Sequence, residues 1–136
     1  MSTNASAASG ALCSGYVAAP NPHINLAVNT CIKEWFTADN QQRKQVTVTV
    51  KNNSGSNAFV NNLGAMVSDF GGSWSCDPPN GYLTVAPGAT YTCNSYEVVD
   101  TNFDANSERG VAWLSFWDPV TGTWTMDSIF TSPYLS

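Results

Sequence analysis

The sequence contains few charged residues. Lys, Arg, Asp and Glu make up only 11% of the 136 residues, and five basic residues against ten acidic ones give a net charge of −5. Proteins that bind nucleic acids or anionic membranes use clustered Lys and Arg side chains to neutralise phosphates, so this composition excludes both as partners. The surface must be made polar mainly by Ser, Thr, Asn and Gly, which suits an extracellular protein.

A long apolar run is also missing. No segment approaches the roughly 20 apolar residues that span a bilayer. The chain starts with MSTNASAASG, without the basic and apolar regions of a signal peptide. We interpret this start as that of a secreted bacterial protein whose signal peptide has been removed, against the alternative of a cytosolic protein with a polar tail. Residues 1–10 are predicted to form a flexible tail and residues 11–136 a single domain.

The chain has one histidine, His23, which stands between Pro22 and Ile24 with no evident nucleophile nearby. This context does not support a Ser/His/Asp site. Asp118 and Asp127 are the remaining candidates, as a carboxylate pair for glycoside hydrolysis. They are several residues apart along their strands, and a domain of this size has little room for a deep active site. We therefore expect no enzymatic activity.

Four cysteines allow three disulfide pairings: Cys13, Cys31, Cys76 and Cys93. None of them forms a C-x-x-C pair and His23 is not close to any of them, which disfavours a zinc site. The simplest pairing joins the first cysteine to the second and the third to the fourth, because turn signals at Pro78-Pro79 and Pro87-Gly88 let the ends of the second loop meet. Closing such a loop contributes on the order of 3 kcal/mol in the chain-entropy model and implies an oxidising compartment.

Apolar and polar residues alternate along most of the chain, and no segment has a convincing helical period. The clearest strands are residues 23–36 and 45–51, and Val46, Val48 and Val50 of the second are predicted to point inward. Residues 58–70 and two short segments around Pro87-Gly88 are further strands, whereas the stretch before His23 is interpreted as loose. This pattern predicts an all-β fold, an immunoglobulin-like sandwich of two antiparallel sheets with two disulfides.

Two segments within residues 45–94, VTVTVKNNSGS and LTVAPGATYTC, resemble the strand-and-turn pattern of small bacterial immunoglobulin-like domains. That group includes surface-protein repeat domains and a family of cellulose-binding modules found in secreted enzymes. The resemblance implies a β-sandwich. For a cellulose-binding module it further implies a flat row of exposed aromatic side chains on one sheet face. The tryptophan spacing of those modules is not reproduced here, so the resemblance assigns no binding residue.

The segment RGVAWLSFWDPVTGTWTMDSIF, residues 109–130, holds three of the five tryptophans. A four-residue loop from Pro119 to Gly122 would place Trp117 opposite Trp124. One face of this hairpin would carry Trp113, Trp117, Trp124, Met126 and Phe130, and the other Leu114, Phe116, Asp118, Thr123, Thr125 and Asp127. Because unpaired hydroxyls and carboxylates are costly to bury, we expect the tryptophan face to point into the core.

Two interpretations of these tryptophans stay open. Trp113 and Met126 are expected in the core. Trp117 and Trp124 lie at the loop end, where a core becomes thin, so they are either core residues or a partly exposed platform for a sugar ring or a protein partner. Trp35 and Trp74 would join them if their loops lie at the same end. The leading hypothesis is a secreted module that binds a polysaccharide or glycan through these side chains.

The acidic segment DTNFDANSERG, residues 100–110, carries oxygen ligands at alternate positions, as calcium loops do. Ala105 stands where a helix-loop-helix calcium site needs glycine, and Val111 where it needs glutamate, so this is not that motif. A structural calcium ion held by Asp100, Asn102 and Asp104 and a plain solvated loop both fit the pattern. No other cofactor is expected.

The competing function is structural. The chain could be a subunit or adaptor of an extracellular assembly that adds a strand to another protein through ALCSGYVAAP or through the edge of the last hairpin. A sugar-binding module should be a monomer whose tryptophan fluorescence responds to ligand. An adaptor should form oligomers or need a partner protein, and should lose that association when the residues before Cys13 are removed.

Overall fold

The computed structural model describes residues 11–69, 74–76, 81–100 and 108–135. Every regular element in these ranges is a β-strand, and the strands form two antiparallel sheets, which confirms the all-β prediction. The predicted tail, residues 1–10, lies outside the described residues. Within the described ranges no helix has the length and apolar composition needed to cross a membrane.

In chain order the described strands are β1 (Ala11–Ala18), β2 (Leu26–Phe36), β3 (Gln42–Asn52), β4 (Ala58–Val67), β5 (Trp74–Ser75), β6 (Leu83–Val85), β7 (Thr90–Asn94), β8 (Val98–Asp100), β9 (Gly110–Asp118), β10 (Thr123–Trp124) and β11 (Ser128–Thr131). The first sheet has the order β1-β2-β3-β7, and β8 also pairs with β3. The second sheet has the order β10-β9-β4-β5, and β11 also pairs with β9 and β6 with β4.

The two sheets share one hydrophobic core. From the first sheet, Val46, Val48 and Val50 are at most 1% exposed, which confirms the predicted inward face of β3. The second sheet contributes the fully buried side chains of Val60, Leu63, Val67, Leu114 and Phe116. Complete burial of one such apolar side chain is worth about 1.5–3 kcal/mol, so this shared cluster holds the sheets together.

Both disulfides follow the predicted sequential pairing. Cys13 and Cys31 lie opposite each other on β1 and β2, with their Cα atoms 4.0 Å apart. Cys76 follows β5 and Cys93 lies on β7, with a Cα separation of 6.1 Å. The second bond therefore joins the two sheets covalently, whereas the first ties the edge strand β1 to its neighbour.

The N-terminal stretch that was expected to be loose contains strand β1. Five consecutive residues, 14–18, are half-buried or exposed, with Tyr16 48% and Val17 45% exposed. Leu12 packs against the core but no residue of the strand is fully buried, so its sequence has no clear alternation of apolar and polar residues to reveal it. Its position depends on pairing with β2 and on the disulfide at Cys13.

The register of the last hairpin is confirmed near its loop but not beyond it. Trp117 pairs with Trp124 and Asp118 with Thr123, as predicted. Farther from the loop, Ile129 pairs with Trp113, where the predicted register has Ser128. The chain between β10 and β11 therefore contains one residue more than the β9 segment that it faces. A shift of one residue exchanges the two faces of a strand. As a result Phe130 is buried, with its ring centroid 6.3 Å from that of Phe116, and Ile129 is 62% exposed.

The expectation that the tryptophan face points into the core is wrong. The inward face of β9 consists of Ala112, Leu114 and Phe116, and Met126 is 90% exposed. Trp113 lies half-buried on the outer face, against Gly64 of β4, where a Cβ atom would overlap its indole ring. The polar residues predicted opposite this inward face stay out of the core, since Thr123 and Asp127 are exposed and Thr125 is half-buried. The Thr125 hydroxyl accepts the backbone N–H of Phe116 at 2.9 Å.

Candidate functional site

Four aromatic side chains line one open groove on the outer face of the second sheet. They are Phe59, Tyr82, Trp117 and Trp124, and the groove between them, called here the aromatic groove, has a volume of about 370 Å³. Phe59 comes from β4, Tyr82 directly precedes β6, and the tryptophans come from β9 and β10. Pairing of β4 with both β6 and β9 brings the four together.

The aromatic groove is built from two edge-to-face pairs. The ring centroids of Trp117 and Trp124 are 5.5 Å apart with an interplanar angle of 69°, and those of Phe59 and Tyr82 are 5.6 Å apart at 87°. This geometry is the favourable one for aromatic pairs, so each ring fixes the orientation of another. Trp124 is 37% and Tyr82 39% exposed, which leaves ring surface open to a ligand.

A second groove, in which six of the twelve lining residues are polar, adjoins the aromatic groove and shares Phe59 and Trp117 with it; it is called here the polar groove. This polar groove has a volume of about 200 Å³, and its polar lining residues are His23, Asn25, Asn52, Ser54, Ser56 and Asn57. Among the described residues, neither groove is lined by Lys or Arg. The combined site therefore offers apolar ring faces at one end and amide, hydroxyl and imidazole groups at the other.

The Asp118 carboxylate links the hairpin loop beside the aromatic groove to the segment beside the polar groove. Its Oδ1 accepts the backbone N–H groups of Val120 at 2.9 Å and Thr121 at 3.2 Å, which organises the hairpin loop between the tryptophans. Its Oδ2 lies 3.0 Å from His23 Nδ1 and accepts a hydrogen bond from Asn21 Nδ2 at 3.1 Å. One buried carboxylate thus holds the aromatic hairpin against the segment that carries the polar groove.

The two carboxylates considered for catalysis both have pKa values below the ordinary value of an aspartate. Hydrogen bonding to His23, with further hydrogen bonds from Val120, Asn21 and Thr121, lowers the pKa of Asp118. Hydrogen bonds from Ser115 and Asn62 lower the pKa of Asp127. A general acid in glycoside hydrolysis needs a raised pKa, so hydrogen bonding moves both groups away from that role.

Of the four predicted ligand-binding tryptophans, the structure brings together Trp117 and Trp124. Trp35 lies nine residues along β2 from Leu26, a residue that lines the polar groove, which separates them by about 30 Å at the rise of a strand. The backbone of Trp74 pairs with Ala65 of β4, and its side chain lies outside the described residues.

Phe59 and Tyr82 were not among the predicted site residues. Each had a signal in the sequence, because both are aromatic residues at the edge of a strand beside polar turn residues, in SGSNAF and PPNGYL. That signal became informative only through the pairing of β4 with β6 and β9, which sequence spacing does not give.

The predicted calcium loop falls largely outside the described residues, which include neither Asn102 nor Asp104. Asp100 is described, and its carboxylate lies 2.6 Å from the ammonium group of Lys44. Within the described ranges no group of three or more His, Cys, Asp or Glu side chains is arranged to hold a metal ion. The calcium site therefore stays a prediction.

Comparison with known proteins gives no family assignment. The chain matches no protein-family model, and no curated protein sequence is significantly similar to it. Its function must be inferred from the groove itself.

Proposed function

We propose that the chain is a secreted, non-catalytic binding module with an immunoglobulin-like β-sandwich fold, and that it binds a neutral polysaccharide or glycan. The observation that carries the proposal is the aromatic groove, in which Trp117 and Trp124 remain accessible although they lie on a well-packed sheet. Soluble domains seldom keep several large aromatic side chains together at the surface unless they contact a partner.

The chemistry of the site favours a sugar. Pyranose rings have apolar C–H faces that pack on indole and phenol rings, while their hydroxyls need hydrogen-bonding partners. The aromatic groove supplies rings for the C–H faces. The polar groove supplies hydrogen-bonding partners for the hydroxyls, with Asn25, Ser54 and Asn57 among its lining residues. The lack of Lys and Arg among the described lining residues, and the net charge of −5, favour a neutral ligand over an anionic one.

The fold and the cysteines support the remaining parts of the proposal. Two antiparallel sheets joined by a disulfide are compatible with an immunoglobulin-like sandwich, and two disulfides favour an oxidising, extracellular location. The absence of catalysis is supported by the lowered pKa values of Asp118 and Asp127.

The test is retention on insoluble cellulose and chitin, with oligosaccharide titrations followed by tryptophan fluorescence. We expect Trp117→Ala and Trp124→Ala each to weaken binding by about 10-fold or more, because one lost aromatic contact at a binding site costs about 1–3 kcal/mol. Trp35→Ala is the matched control and should bind like the wild type. Unchanged retention of both groove variants, with their folds intact by circular dichroism, would contradict the proposal.

A second candidate function rests on strand β1. Among the described residues β1 pairs with β2 alone, so one of its backbone edges is open, and Tyr16 and Val17 are exposed beside it. Such an edge can accept a strand from another protein, as a structural subunit or adaptor would require. Size-exclusion chromatography with light scattering tests it: an adaptor forms oligomers that disappear when the residues before Cys13 are removed, and a monomer at all concentrations argues against it.

A further inference from the structure

A lysine is buried completely at the end of β3 remote from the two grooves. Lys44 has the same strand parity as Val46 and Val48, and its side chain is 0% exposed. Its ammonium nitrogen lies 2.6 Å from Asp100 Oδ2 and also contacts Glu108 Oε1, and both carboxylate side chains are only 4% exposed. Lysine is among the residues least often buried, and here it is held between two acids.

The charges of this cluster do not balance. One ammonium group faces two carboxylates, and Glu34, which pairs with Lys44 in the register of β2 and β3, brings a third acid nearby. Burial raises the pKa of Glu34, with Glu108 and Asp100 adding to the rise and Lys44 opposing it. Charges removed from water in this way carry a large desolvation cost, which a hydrophobic core would avoid.

The contacts suggest a covalent reaction. An amine and a carboxyl group held at contact distance, in a site without water, react as if at a very high local concentration. Burial also changes which state is preferred, because an ammonium–carboxylate pair is strongly hydrated in water whereas an amide is neutral. Condensation therefore removes two buried charges and releases one water molecule to solvent.

We propose that Lys44 and Asp100 condense to an intramolecular isopeptide bond, with Glu108 carrying protons between them. Asp100 is chosen as the acyl partner because β8 pairs directly with β3, which places its short side chain in a fixed position beside Lys44. Glu108 has one more rotatable bond and contacts the same nitrogen, which suits a group that moves protons.

The reaction balances without a co-reactant. Glu108 removes a proton from the Lys44 ammonium group and passes it to Asp100, so that a neutral amine faces a neutral carboxylic acid. The amine attacks Asp100 Cγ to form the new N–C bond, and Glu108 transfers a second proton from the nitrogen to the departing hydroxyl, whose C–O bond breaks. Of the three ammonium hydrogens one stays on the amide and two leave in water, so Glu108 ends as the carboxylate it was at the start.

The first experiment is the intact mass of the purified, folded full-length chain after reduction of its disulfides. We expect a mass lower than that of the sequence by one water molecule. Protease digestion and tandem mass spectrometry should then find the peptide of Lys44 linked to that of Asp100. A wild-type chain of full mass would overturn the proposal without reference to any variant.

Three variants identify the groups. Lys44→Met and Asp100→Ala should each have the full mass of their sequences, because each lacks one bonding partner. Glu108→Gln keeps its size but cannot take up a proton, so it should fold yet form the bond at least 10-fold more slowly. Glu97→Gln is the matched control, a carboxylate at the surface beside Arg43, and should lose one water like the wild type.

Two further outcomes would contradict the assignment. A water lost through a cyclic imide at an aspartate would be recovered by mild alkaline hydrolysis, whereas an isopeptide bond would persist. A cross-link from Lys44 to Glu108, or full-rate bond formation in Glu108→Gln, would show that the roles given to the two acids are wrong.

Discussion

The two ends of β3 depart from the usual distribution of side chains in opposite ways. At the Asn52 end the grooves leave apolar rings in contact with water, and at the Lys44 end one lysine and two acidic side chains are hidden from it. Eight residues, about 26 Å of strand, separate them. Exposed rings add nothing to the core and a buried ion cluster costs desolvation energy, so neither end is explained by stability alone. We propose that one end serves a ligand and that the other serves the chain itself.

The largest effect is expected from removing the buried cation. Lys44→Met leaves the carboxyl groups of Asp100 and Glu108 buried without Lys44, either as their ion-pair partner or as the partner in the proposed bond, and breaking such a cluster costs about 3–5 kcal/mol. Urea denaturation at neutral pH measures the free energy of unfolding. Lys51→Met, at the other end of the same strand, is the matched control. It should cost less than about 1 kcal/mol, because within the described part of the chain the Lys51 ammonium group contacts only the Tyr16 ring. Equal losses in the two variants would remove the contrast between the ends.

A smaller loss is expected where the outer face of the second sheet is tightly packed. A methyl group at Gly64 would overlap the Trp113 indole, so Gly64→Ala should destabilise the fold by about 1–3 kcal/mol. Gly55→Ala is its control, since nothing lies near the position of its Cβ, and should change stability by no more than about 0.5 kcal/mol. Thermal melts of the two variants make the comparison. Equal melting temperatures of the two variants would show that Trp113 does not pack on Gly64. The tight packing of this outer face could then not be used to explain how the groove is held.

The Asp118 carboxylate should make the groove end sensitive to acid. Its pKa is depressed in the folded state, chiefly by hydrogen bonding to His23, so its contribution to stability is complete above the unfolded value near pH 4 and declines as the pH falls below it. Asp118→Asn should lower the melting temperature at pH 7, and its difference from the wild type should shrink as the pH is lowered from about 4. Glu97→Gln, measured in parallel, should show a small difference at pH 7. A gap between wild type and Asp118→Asn that widens in acid would contradict this role.

The sequence predicted the strands better than the surface grooves that the strands form. Alternation located β2 and β3, and turn signals supported the Cys76–Cys93 disulfide, because these features depend on neighbouring residues; Cys13–Cys31 followed as the remaining pair. The aromatic groove depends on pairings between strands that are distant in sequence. The side chains that β11 buries depend on one extra residue between Trp124 and Ser128. Local patterns do not encode such a shift.

The Lys44 cluster did leave a trace in the sequence. In QRKQVTVTV the lysine shares the parity of three inward valines, so the same alternation that predicts a buried face places a charge on it. The identity of its partners could not be read in this way. Asp100 and Glu108 are 56 and 64 residues away along the chain, and their function there competes with the calcium-loop interpretation of the same segment.

The smallest effect tests which face of the last hairpin meets water. Met126 was predicted to be a core residue, and truncation of a buried methionine costs about 2–5 kcal/mol. In the structure its side chain is 90% exposed. Met126→Ser should therefore change the free energy of unfolding by less than about 0.5 kcal/mol. Phe130→Ser, whose side chain the same shift buries, is the paired variant and should be strongly destabilised. Large losses in both variants would contradict this arrangement, because the hairpin without its extra residue places Met126 and Phe130 together on the face of Trp117 and Trp124. That face would then lie in the core, and the aromatic groove would lose its rings.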